Sequence, residues 1–315
     1  AIYAFQENDY MTIQSCVFSN NSVGASGEGG AVILNTAHRN ITIRDTIFRE
    51  NSAMYAAALY IYETSRLVSL NNVTFDSNEA GDWTGGFLLQ QNNYYATLTN
   101  VVFKSNDAKF GSGMIVYDSN TGVTFNNVQF TSNDATSKHD DHTHDDYYSP
   151  HSYAYHVAYY DDDYSPPRLD LDSYRGGAVF FYRDNVDVTF TNTDFTGNTA
   201  RDGGAVYVGC GNDLNFLSGT FDSNEADVFR AGGNGGAIYY TEGVKISDSV
   251  VFTSNTATTA GASTYVATDA CSAVVTVDNY GDSLGGNCTS AGSCTFRNAW
   301  IYCANINTWY DVDTL

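Results

Sequence analysis

This 315-residue chain is poor in positive charge, in proline and in long apolar runs. Its 14 Lys and Arg stand against 36 Asp and Glu, for a net charge of −22. A surface of that sign repels phosphate backbones and anionic headgroups, so nucleic acid and acidic membranes are not the expected partners. There are three prolines, and none precedes Pro150. The residue that cannot donate to a strand ladder is thus missing from the first half. No run of 18 apolar residues exists, so no membrane-spanning helix is expected. No secretory leader is visible either, as in a mature secreted chain that has lost one.

What is present in quantity is a repeat. Eight tetrads of the form Phe-x-x-Asn run along the chain, from Phe18–Asn21 to Phe252–Asn255. A triplet of small residues accompanies them, best seen at Gly176-Gly177-Ala178, Gly203-Gly204-Ala205 and Gly235-Gly236-Ala237. From a triplet to the next tetrad Phe is always 17 to 19 residues. From the tetrad Asn to the next triplet the distance ranges from 5 to 43, so the length variation falls at one corner. Apolar residues alternate at period two, as in Val188-Thr189-Phe190-Thr191, which is strand and not helix. Strands recurring at a period near 27 residues predict a parallel β-helix of about nine coils, with one long inserted loop over 136–172.

Counting back from each tetrad Phe sorts the columns. Seven places back stand Met11, Ile41, Val68, Ala96, Val123, Val188 and Leu214, and five back Ile13, Ile43, Leu70, Leu98, Phe125, Phe190 and Phe216. These columns should face inward. Three back stand Ser15, Asp45, Asn72, Asn100, Asn127 and Asn192, a short polar set suited to a turn. Stacked coils place the Phe residues over one another and make the tetrad Asn residues an amide ladder. Asn120 belongs to no tetrad and is expected to tolerate replacement by Ala. Tyr3, Tyr60, Tyr207 and Tyr239 with Phe180, and then Phe5, Tyr62, Tyr117 and Tyr182, should form an exposed outward aromatic stripe. Such a stripe would mark a binding or assembly face. The outward strand columns hold Thr, Ser, Asn and Tyr, and no regular threonine ladder of the kind an ice-binding face carries is expected there.

The alternation of Phe-x-x-Asn with Gly-Gly-Ala-[Ile/Leu/Val] resembles the repeats of the polymorphic outer membrane proteins, the autotransporter adhesins of chlamydiae. Phe195–Asn198 with Gly203–Val206, and Phe221–Asn224 with Gly235–Ile238, keep the pair best; Ala56–Ala58 and Gly111–Gly113 depart from it. The resemblance implies a secreted right-handed parallel β-helix passenger with adhesive or surface-structural work. It covers roughly residues 1 to 265, and no C-terminal barrel sequence follows them in this chain.

Outside the repeat grammar lie four kinds of candidate site. Cys271, Cys288, Cys294 and Cys303 crowd residues 271–315, which reads as a disulfide-stapled cap or docking segment after a β-helix of residues 1–270. The lack of a Cys-x-x-Cys pair argues against zinc there. Cys16 sits in an inward column, either as a free thiol or as one half of a disulfide between subunits. Asn20, Asn40, Asn72 and Asn287 head Asn-x-Ser/Thr acceptors for N-linked glycans. The loop sequence His139, Asp140, Asp141, His142, His144, Asp145 could hold a divalent cation, calcium through carboxylates or zinc through imidazoles, or be a solvated acidic loop.

Parallel β-helices also serve as polysaccharide lyases and hydrolases. Those need a base beside carboxylates, or paired carboxylates on adjacent coils. Here Asp lies mostly in turns and in the loop, and five of the six His share that loop, so catalysis is not expected. The expected function is a secreted, glycosylated structural subunit that stacks head to tail into a filament. Ala1, Ile2, Tyr3, Ala4 and Phe5 of one copy would meet the region of Trp300 and Trp309 of the next, since Ala1 falls at the Ala of a triplet and leaves a strand edge open. An adhesin acting through the Tyr-, Asp- and His-rich loop is the alternative.

Overall fold

The computed structural model describes residues 1–24, 27–136, 174–227 and 233–267, and the backbone of 300–303 and 308–311. Residues Ala1–Val266 form one compact unit and Ala267–Leu315 another. In the first unit every strand pairing is parallel, between residues one coil apart. Nine strands, from Ile2–Gln6 through Met114–Asp118 to Thr264–Val266, stack in chain order as one sheet. The expected nine coils therefore close as about eight turns. A fourteen-stranded sheet and shorter two-residue ladders, such as Asp134–Ala135 on Thr199–Ala200, complete each turn. In the second unit, Trp300–Cys303 and Thr308–Asp311 pair antiparallel.

Each coil bends where a short polar residue enters the left-handed region. Asp45, Asn72, Asn100 and Asn127 have φ between 51 and 54°, at the turn column expected. Polar side chains of this length tolerate that conformation best among non-glycine residues. The triplets need glycine for a second reason. Gly203 has φ of 65°, and a Cβ on Gly204 would run into the carbonyl oxygen of Gly236 in the next coil. Backbones stack there with no room for a side chain.

The inward columns build one continuous core. The tetrad phenylalanines stack face to face, with centroids 4.7 Å apart for Phe75 and Phe103, 4.6 Å for Phe103 and Phe130, and 4.5 Å for Phe195 and Phe221. Phe125, Phe190 and Phe216 form a second stack at 4.4 and 4.3 Å. The tetrad Asn ladder is present and saturated. Asn106 Nδ2 donates to Asn133 Oδ1 at 2.9 Å and to the Phe75 carbonyl at 3.0 Å. Its Oδ1 accepts from the Asn78 backbone N–H and Nδ2, at 3.1 and 3.0 Å.

A second ladder occupies another corner and overturns the reading of Asn120. Asn120 is fully buried and donates through Nδ2 to Asn185 Oδ1 at 2.9 Å and to the Gln90 carbonyl at 3.0 Å. Asn93 and Asn212 extend the same row on either side. These side chains stand where no tetrad marks them, yet their hydrogen bonding matches that of the tetrad asparagines.

Candidate functional site: the outward faces of the solenoid

The outward aromatic stripe exists, but in the middle of the solenoid it is not exposed. Tyr60, Tyr117, Phe180 and Tyr207 are buried, and Tyr62, Tyr182 and Tyr239 are half-buried. Phe110 and Trp83, from the corner before each strand, fold onto them and make a second apolar cluster outside the main core. Trp83 stacks on Tyr117 at 5.0 Å, and Tyr117 on Tyr182 at 4.6 Å, so these ring faces are already used by one another. That corrects the expectation of an open aromatic binding face. Burial pushes the phenols of Tyr62 and Tyr117 up to about 12. Beside them Arg183 pairs with Asp118 at 2.7 Å. Tyr3 and Phe5, in contrast, are 56% exposed.

The opposite kind of surface lies on the first limb of the fourteen-stranded sheet. Register places Thr12, Thr42, Ser69, Thr97, Thr124, Thr189, Asn215 and Lys245 in one outward row. Gln14, Arg44, Asn71, Thr99, Asn126 and Thr191 make the row beside it. Rungs along a row repeat at about 4.8 Å, and the rows stand roughly 6.6 Å apart, from strand spacing and rise. None of these positions is Asp or Glu, although the chain carries 36 of them. The hydroxyls of Thr42, Ser69, Thr97, Thr124 and Thr189 enter no side-chain hydrogen bond among the described residues. A threonine row is therefore present where none was expected. Its signal was available: the first six members stand six places before a tetrad Phe.

The other sequence candidates fall as follows. Asn20 and Asn72 are exposed at left-handed turns, with Nδ2 donating to Glu50 at 3.2 Å and to Asp45 at 2.8 Å; Asn40 is half-buried. Cys16 is a free, half-buried thiol that donates to the Gln14 carbonyl at 3.2 Å. Cys210, which the spacing did not single out, is disulfide-bonded. His139, Asp140, Asp141, His142, His144 and Asp145 lie outside the described residues, as do Asn287, Cys271, Cys288 and Cys294. Cys303, Trp300 and Trp309 are described in backbone only, as strand residues. Among the described residues no three His, Cys, Asp or Glu gather to hold a metal, and no helix is long and apolar enough to cross a membrane.

The fold defines a class first: the model for the right handed beta helix region family matches residues 1–148. More narrowly, the Chlamydia polymorphic membrane protein repeat matches residues 192–209. That span holds Phe195–Asn198 and Gly203–Val206, the best-kept pair of tetrad and triplet. No curated protein and no solved structure matches the chain. The chain is a right-handed parallel β-solenoid that resembles the repeat passengers of polymorphic membrane proteins. Solenoid and repeat together support a surface-associated, autotransporter-like passenger.

Proposed function

We propose that this chain is a surface passenger that works by contact: a rigid solenoid that adheres to an uncharged, hydroxyl-rich polymer through its threonine face. The observation that carries the reading is the absence of carboxylates from both rows of that face in so acidic a chain. A neutral polysaccharide lying along the axis would meet a donor and acceptor hydroxyl every ~4.8 Å. The acidic remainder of the surface would repel anionic polymers. N-linked glycans at Asn20, Asn40 and Asn72 and a docking role for residues 271–315 belong to the same reading; catalysis does not. The test is retention on neutral polysaccharides, soluble and insoluble, of the full chain and of Thr97→Glu/Thr124→Glu/Thr189→Glu. Retention by the wild type and its loss in the triple variant is the expected result. A wild type that no neutral glycan retains overturns the proposal.

A second reading is head-to-tail stacking into a filament, for which the parallel, in-register pairing of every coil with the next supplies a repeatable contact. Under that reading Ala1–Phe5 pairs with the Trp300 and Trp309 region of a neighbouring copy. Fibres in negative stain that vanish on deletion of residues 1–10 support it, and a monomer at high concentration rejects it.

A further inference from the structure

The second polar ladder changes chemistry near its start. Ten places before the tetrad Phe stand Asn93, Asn120 and Asn185 in three coils, but Ser65 and His38 in the two coils before them. His38 is fully buried and imitates an asparagine. Its Nδ1 faces the Asn8 backbone N–H at 3.2 Å, with Asn8 Nδ2 at 3.4 Å, as a ladder Oδ1 would face two donors. To accept from Asn8, Nδ1 must be bare, which assigns the ring proton to Nε2. That Nε2 is buried with no hydrogen-bond partner, and so is the Oγ of Ser65 in the next rung. The serine is too short to receive what an asparagine would.

We propose that His38 is an acid-sensitive joint: neutral, it fastens residues Gln6–Tyr10 to the following coil, and protonated, it releases them. A second proton on the ring turns Nδ1 from acceptor to donor and points it at the Asn8 N–H. It also places a charge in a buried site with no carboxylate to answer it. Glu7, Asp9, Arg39, Glu63 and Arg66 flank the joint on its three coils. None of them governs the ring. Burial holds its pKa below the ordinary histidine value, and backbone contacts with Ala4 and Asn8 oppose that in part. The joint is not the only fastening of this coil. At the tetrad corner Asn21 Nδ2 donates to Asn51 Oδ1 at 2.8 Å, a bond with nothing to titrate. Acid should therefore open one corner and leave the other shut, baring the backbone edge around Thr36 and Arg39, which accept from Glu7 and Tyr10 at 3.1 and 2.9 Å.

Amide hydrogen exchange on the full chain, corrected for intrinsic rates, tests this between pH 7.5 and 5. Protection at Asn8 and Tyr10 should fall by tenfold or more, while protection at Asn21 and Val23 holds. His38→Asn should keep Asn8 protected across the range. Ser65→Asn should raise protection at every pH yet preserve the acid response. Nitrogen shifts of the His38 ring, read in the wild type, keep the proposal testable if a variant fails to fold; they should report the Nε2–H tautomer at pH 7.5. Equal protection of Asn8 at both pH values, an unchanged acid response in His38→Asn, or the Nδ1–H tautomer would overturn the proposal.

Discussion

The two asparagine ladders do the same work with different degrees of completeness. At the tetrad corner amide meets amide without a break from Asn21 to Asn255. At the other corner amides run from Asn93 to Asn212, and the two earlier rungs are filled by His38 and Ser65. The first ladder is written as a motif because the same turn, the same Phe and the same Asn recur together. The second is set only by register, so a buried side chain can fill a rung whether it accepts from the coil before it, as His38 does, or leaves its oxygen unpaired, as Ser65 does. Substitution is tolerated there at the cost of unpaired polar atoms.

Four measurements would sharpen or break that comparison. Asn106→Ala and Asn120→Ala should each cost about 3 kcal/mol, because each strands buried donors and an acceptor on the neighbouring coils. Denaturant midpoints for the pair should be lowered alike, and a near-neutral Asn120→Ala would remove the second ladder from the account. Ser65→Asn should stabilise by about 1 kcal/mol, since it supplies the missing partner; an unchanged or lower midpoint would mean the site cannot hold the longer side chain. His38 makes stability depend on acid. Its folded pKa lies below the unfolded value, so its contribution is complete above about pH 6.5. It is lost as pH falls toward the folded pKa. His38→Asn should flatten the stability profile there, and a slope identical to wild type would place the titration elsewhere. Thr124→Glu, on the outward row, should move stability by less than about 0.5 kcal/mol while weakening adhesion. A large loss of stability would make the threonine row a packing feature.

Much of this could be read before the fold was known, and the parts that could not share a cause. Phe48, Phe75 and Phe103 announce their stack because one spacing fixes both their column and their direction. The turn residues Asp45, Asn72 and Asn100 are equally plain, since left-handed backbone selects them. Tyr60 and Phe180 misled. Alternation shows that they point outward, but not that Phe110 and Trp83 fold back over them from a corner of variable length. Asn120, Thr97 and Thr124 were hidden in a different way. Each looks like ordinary surface until it is aligned by its distance from the tetrad Phe, and only the vertical neighbour reveals whether it is a rung. For the metal and disulfide candidates, spacing offered residue types without a frame to position them.

The direction of the amides has one more consequence. In both ladders the amide-to-amide bond runs one way: Nδ2 gives one proton to the Oδ1 of the following coil, and the other goes back to a backbone carbonyl of the preceding one. Each bond polarises the next, so a row of them strengthens cooperatively along the axis. It also gives the solenoid an arrow. Amide oxygens face the lower-numbered coils, and one N–H of each amide faces the higher-numbered ones. Oxygen cannot usefully face oxygen, nor N–H face N–H. Whatever lengthens this rod, a further coil or another molecule, must arrive in the same orientation.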